Sequence, residues 1–101
     1  MKVYNGFAEL LRDIDKLPVT GWIFVGRQID IESESSIKVA SYFIPETELE
    51  AIEFENTQRT FIECPTLLDV VSVLDERLTP QSLSDYIAGV IFYRENDDFL
   101  E

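Results

Sequence analysis

Apolar positions along the chain follow first one spacing and then another. Phe7, Leu10, Leu11, Ile14 and Leu17 recur at the i, i+3, i+4, i+7 interval of an amphipathic helix over 6–17. Asn5 is placed to cap that helix and Pro18 to stop it. Trp22-Ile23-Phe24-Val25, bracketed by Gly21 and Gly26, is apolar without interruption and too short for a helix. It predicts a central strand buried on both faces.

Residues 27–36 are polar and acidic and predict a loop. Ile37 to Ile44 (IKVASYFI) predicts a second strand, which Pro45 ends. The stretch 46–58 reads two ways: Leu49, Ile52 and Phe54 anchor either a helical turn or an irregular segment over the sheet. Arg59-Thr60-Phe61-Ile62-Glu63 predicts a third strand. Two helices follow. Over 65–78, Pro65 suits the first turn, and Leu67, Val70, Val71, Leu74 and Leu78 form one stripe. Over 80–94, after Thr79-Pro80, Leu83, Tyr86, Ile87, Val90 and Ile91 form another. The expected fold is α+β: a small, mainly antiparallel sheet of about three strands with three packed helices, in one domain over 1–101.

Composition agrees with a folded core, with 46% hydrophobic and 12% aromatic residues in 101. Charge changes the picture. Twenty Asp and Glu against eight Lys and Arg leave a net charge of −12. Self-repulsion of that size opposes folding, so it implies an offsetting use in solubility or in steering a cationic partner. It argues against direct binding of nucleic acid, which requires cations to displace counterions, and against adsorption to an anionic membrane. No apolar stretch reaches the ~20 residues of a membrane span, and Met1 to Gly6 lacks the apolar core of a signal peptide. One cysteine, Cys64, excludes an intramolecular disulfide and predicts a reducing, cytoplasmic setting, with the thiol itself buried.

Catalytic chemistry finds little to work with. The chain has no histidine, so no Ser–His or Cys–His pair exists, and one Cys without His cannot hold structural zinc. The acidic run from Asp30 opens like a calcium loop, but Ser35 and Ser41 stand where that loop needs Gly and Glu. No cofactor, metal or catalytic residue is expected, and the protein is read as a non-enzyme. The acidic clusters are instead read as partner-binding: Asp30, Glu32 and Glu34; Glu46, Glu48, Glu50, Glu53 and Glu55; and Asp97 and Asp98 near the C-terminus. Core packing is the first reading for the aromatics near these clusters; Phe54 and Phe99 are the ones best placed to serve as exposed anchors. Tyr42 and Phe43, adjacent in a strand, are expected on opposite faces.

Three segments carry a family resemblance: the opening helix leading to Gly21-Trp22-Ile23-Phe24-Val25; Thr60-Phe61-Ile62-Glu63 into Leu67-Leu68-Asp69-Val70-Val71; and Ser82-Leu83-Ser84-Asp85-Tyr86 with Tyr93 to Leu100. Together they resemble the small acidic immunity proteins of bacterial toxin–immunity systems, above all those paired with contact-dependent growth-inhibition toxins. The resemblance implies a cytoplasmic protein, monomeric in its complex, that binds and neutralises one basic toxin domain, commonly a nuclease. The alternative is an acidic nucleic-acid mimic or adaptor that binds a different basic partner.

Overall fold

A computed structural model of the chain describes residues 1–96. In chain order the elements are β1 (Lys2–Asn5), α1 (Phe7–Arg12), β2 (Trp22–Val25), α2 (Glu34–Val39), β3 (Ser41–Ile44), α3 (Glu48–Thr57), β4 (Arg59–Glu63), α4 (Cys64–Asp75) and α5 (Leu83–Asn96). The four strands form one antiparallel sheet in the order β1-β3-β2-β4, so β2 is central as its apolar run predicts. The fold is α+β. It has one strand and two helices more than the sequence pattern indicated.

Two of those additions overturn local readings. β1 was not expected, because Lys2-Val3-Tyr4-Asn5 carries only two apolar residues; it forms by pairing along β3, with Tyr4 opposite Tyr42. Asn5 therefore belongs to a strand, and Gly6 takes the cap position of α1. Gly6 has φ +100° and a β-carbon there would stand 3.3 Å from the Lys38 carbonyl oxygen, so a side chain would be both strained and crowded. Likewise, 27–36 is not all loop and 37–44 is not all strand. Ser33 accepts a hydrogen bond from the Ser36 N–H and starts α2, whose Ile37 is buried while Lys38 and Val39 face solvent. That burial follows a helical spacing, and the strand is left with Ser41–Ile44.

Helix boundaries shift for similar reasons. The first helix stops at Arg12, and Ile14–Lys16 continues only as a 3₁₀ turn. α4 ends at Asp75, leaving Leu78 fully exposed instead of on the stripe. α5 begins at Leu83, not after Thr79-Pro80, because Ser82 and Asp85 cap it reciprocally. Ser82 Oγ accepts from the Asp85 N–H at 3.2 Å, and Asp85 Oδ2 accepts from the Ser82 N–H at 2.8 Å.

The main core lies on one face of the sheet. Tyr4, Ile23, Val25, Tyr42 and Ile44 meet Phe7, Leu10, Ile37, Leu67, Leu74, Ile87 and Val90 from the helices. Tyr42 is fully buried, edge-on to Phe7 and tilted against Phe61, and its hydroxyl donates to the Ile37 carbonyl. β4 joins this face through an irregularity. Ile23 pairs with Ile62 and Phe24 with Thr60, which leaves Phe61 as an extra residue. Both Phe61 and Ile62 are thereby buried.

Two predictions test this packing. A β-carbon on Gly89 would stand 2.9 Å from Leu74 Cδ1 and 3.2 Å from Val70 Cγ1, so α4 and α5 touch where no side chain fits. Gly89→Val is expected to destabilise the fold by about 2 kcal/mol through overpacking, read as a lower urea midpoint. Burial raises the Cys64 pKa from 9.0 to about 11. The neutral thiol is thus favoured in the folded state: its contribution is complete below pH 9 and disappears as pH rises through about 11. Unfolding followed by urea over that interval is expected to show a fall in stability that Cys64→Ala reduces, and native Cys64 should resist alkylation.

Candidate partner-binding face

β2 and β3 present aromatic residues on their other face as well. Phe24 pairs with Phe43 across the strands, on the side away from Tyr42. α3 covers this second face with Phe54, whose ring lies 5.6 Å from Phe24 and 6.3 Å from Phe43. Phe54, one of the two aromatics best placed to serve as an exposed anchor, is instead 7% exposed and holds α3 to the sheet. Within the ambiguous 46–58 stretch, Glu48–Thr57 is helical, because Thr47 and Glu50 cap it. The Glu50 N–H donates to Thr47 Oγ1 at 3.1 Å, and the Glu50 carboxylate accepts from the Glu46 N–H at 3.0 Å.

The five glutamates of this segment therefore divide. Glu46 and Glu50 lie 2.8 and 3.0 Å from the N-terminal ammonium, and Glu50 also serves the helix cap. The Glu46 N–H and the ammonium hold the Glu50 carboxyl below its ordinary pKa. Neither is an uncommitted charge, contrary to the expectation that the run is unneutralised. Glu48, Glu53 and Glu55 are exposed, with no ion pair among the described residues.

With Phe54 pointing inward, helical geometry places Leu49, Ile52 and Asn56 along the outer ridge of α3. Glu48 and Glu55 lie on one flank and Glu53 on the other. Leu49 is 75% exposed and Ile52 57%. The helix thus carries apolar residues on two opposite sides, one spent on the sheet and one facing solvent. Sequence reasoning passed over Leu49 and Ile52 as partner residues, although their i, i+3 spacing amid glutamates was the available signal.

The other predicted residues sit elsewhere. Ile31 anchors the Asp30–Glu34 segment into the main core, on the face of the sheet opposite α3. Asp30 builds a turn, its Oδ1 accepting from the Glu32 N–H at 3.0 Å, and Glu34 opens α2. Asp30, Glu32 and Glu34 are thus not brought into one surface with the α3 glutamates. Asp97, Asp98 and Phe99 lie outside the described residues.

A different charge gathers around β4. Arg27 and Arg59 share a shallow depression with Glu55 at the C-terminal end of α3, and Arg27 donates to the Asn56 carbonyl. Arg94, half-buried on α5, donates through Nε to the Phe61 carbonyl at 2.9 Å. Its pKa is lowered, first by burial and then by the neighbouring Arg59, against a raising influence from Glu32. Among the described residues, no group of three or more His, Cys, Asp or Glu could hold a metal ion, and no helix is long and apolar enough to cross a membrane.

Comparison with protein families, with curated sequences and with solved structures finds no match to this chain. The outer face of α3 is accordingly the site its own geometry supports best.

Because Phe54 is the one buried side chain of α3, Phe54→Ala is expected to cost about 3 kcal/mol and to loosen α3 before the main core. Hydrogen exchange on the folded variant checks this: amides of α3 should lose protection while those of α4 and β2 keep theirs.

Proposed function

We propose that this protein binds a cationic protein partner through the outer face of α3, and that the partner is a toxin domain which it neutralises as a cytoplasmic immunity protein. The observation that carries the reading is the exposed Leu49–Ile52 pair set among Glu48, Glu53 and Glu55. Apolar side chains at the centre of an interface give up their water and supply affinity. A surrounding rim of like charge steers an oppositely charged partner and selects it.

The partner's chemistry follows from this complementarity. A surface rich in Lys and Arg, as a nuclease needs for its polyanionic substrate, would meet the glutamates, while an apolar groove or ridge would cover Leu49 and Ile52. Covering those cations would itself deny a nuclease its substrate. No catalytic step is assigned to this chain: its part is to bind and occlude. A nucleic-acid mimic would need carboxylates in an unbroken row. On α3 the apolar ridge interrupts them, which favours a protein-specific interface.

The test is co-purification with candidate toxin domains, followed by a toxin-activity assay with this protein added. Replacing Glu48, Glu53 and Glu55 together by Lys is expected to weaken capture by at least about 100-fold and to abolish protection, mainly by slowing association. Leu49→Ala with Ile52→Ala is expected to raise the dissociation rate by about tenfold or more while leaving the association rate nearly unchanged. Wild-type association should slow steeply between about 0.05 and 0.5 M salt. Unaltered toxin inhibition by the triple Lys variant would refute the reading.

A further inference from the structure

β4 is an edge strand, and a groove of about 240 Å³ runs along it, lined by Trp22, Thr60, Glu63, Thr66, Tyr93 and Arg94. The groove is polarised. Arg59 and Thr60 begin β4 and Glu63 ends it, with Arg94 bonded to the Phe61 carbonyl between them. Glu55 shares the adjoining depression with Arg59, and Glu32 acts on Arg94 from nearby. Three of the eight basic residues, Arg27, Arg59 and Arg94, thus collect around the start of β4 in a chain of net charge −12. Arg94 spends Nε on the Phe61 carbonyl, which orients the guanidinium. Arg59 is exposed and has no hydrogen-bond or ion-pair partner among the described residues.

We propose that this groove binds an extended acidic peptide segment of a protein partner, one carboxylate lodging between Arg59 and Arg94. Guanidinium groups match a carboxylate in plane and charge, and hydrogen bonds between ionised groups are roughly twice as strong as neutral ones. Five residues of β4 extend over about 16 Å, enough for an extended segment of similar length beside them. Glu63 selects the kind of anion. It repels a phosphate dianion, but it accepts hydrogen bonds from peptide N–H groups or pairs with a Lys farther along the segment. The overall charge of the protein likewise opposes capture of free anions and favours a single carboxylate delivered on a chain that makes other contacts.

The segment docks through side chains and does not extend the sheet. The extra residue at Phe61 breaks the regular edge, and Arg94 already occupies that carbonyl. Trp22 and Tyr93 line the groove and offer aromatic surface for the segment's apolar atoms. This site adjoins the C-terminal end of α3 at Glu55 but is distinct from the Leu49–Ile52 ridge, and it stands whether or not a toxin is the partner there.

Trp22 is the only tryptophan, so its fluorescence reports directly on this groove. The experiment titrates the full chain with an acetylated, amidated pentapeptide bearing one Glu, with its Gln counterpart, and with inorganic phosphate. Trp22 emission and the Arg Nε–H NMR signals are followed together. The Glu peptide is expected to shift both, at least about fivefold more tightly than the Gln peptide, with Arg59→Glu removing that preference and Arg59→Lys retaining part of it. Equal binding of the two peptides, a stronger response to phosphate than to the Glu peptide, or no shift in either signal would overturn the proposal. Because Glu55 shares the depression with Arg59, the double variant Glu48→Lys, Glu53→Lys of α3 serves as the control that separates the two sites. It should keep its peptide response even as it loses toxin capture, whereas loss of the peptide response in that variant would contradict a site on β4.

Discussion

The contact of Phe54 with Phe24 and Phe43 decides how this molecule presents itself. A sheet with one apolar face needs only one helical layer, but Ile23-Phe24-Val25 and Tyr42-Phe43-Ile44 put large apolar side chains on both sides. The second face must therefore be covered, and one aromatic residue from α3 does most of that covering, edge-to-face with Phe24. Everything proposed for α3 follows from this attachment. It turns Phe54 inward and, by the geometry of a helix, turns Leu49 and Ile52 outward.

The same economy governs the charges. A net −12 does not act as one uniform surface. Glu50 and Asp85 cap helices, Glu46 meets the N-terminal ammonium, and Asp30 shapes a turn. Glu50, Asp85 and Asp30 accept from backbone N–H groups, the first two at helix ends that would otherwise be left unsatisfied. What is left over on α3 is three glutamates around an apolar ridge. Beside β4, Arg59 and the Arg94 guanidinium of α5 adjoin a groove. Two surfaces of opposite sign within a small domain would hold a partner in one orientation, since a rotated partner would place like charges together.

Much of the architecture was legible in the residues. The uninterrupted run at Trp22–Val25 marks a central strand, the stripes around Leu67–Leu74 and Ile87–Val90 mark the two C-terminal helices, and Cys64 follows an apolar pair into the core. Short elements were harder. β1 has almost no pattern of its own and exists through its pairing with β3, while the six residues of α2 were split between the loop before it and the strand after it. For α3 the capping signal Thr47-x-x-Glu50 was present, but its apolar residues lie on two sides and gave no single stripe.

Sequence alone determined the fold class, the central position of β2, the lack of histidine chemistry and the surplus of negative charge, because each depends on residue type and on near-neighbour spacing. Tertiary structure decided which glutamates are free, that Phe54 faces the sheet while Leu49 and Ile52 face water, that the 30–34 and 46–55 acidic segments lie on opposite faces, and that Arg59 and Arg94 become neighbours. Those outcomes rest on contacts between residues distant along the chain. A second layer of packing on the sheet, which no local period encodes, is what selected them.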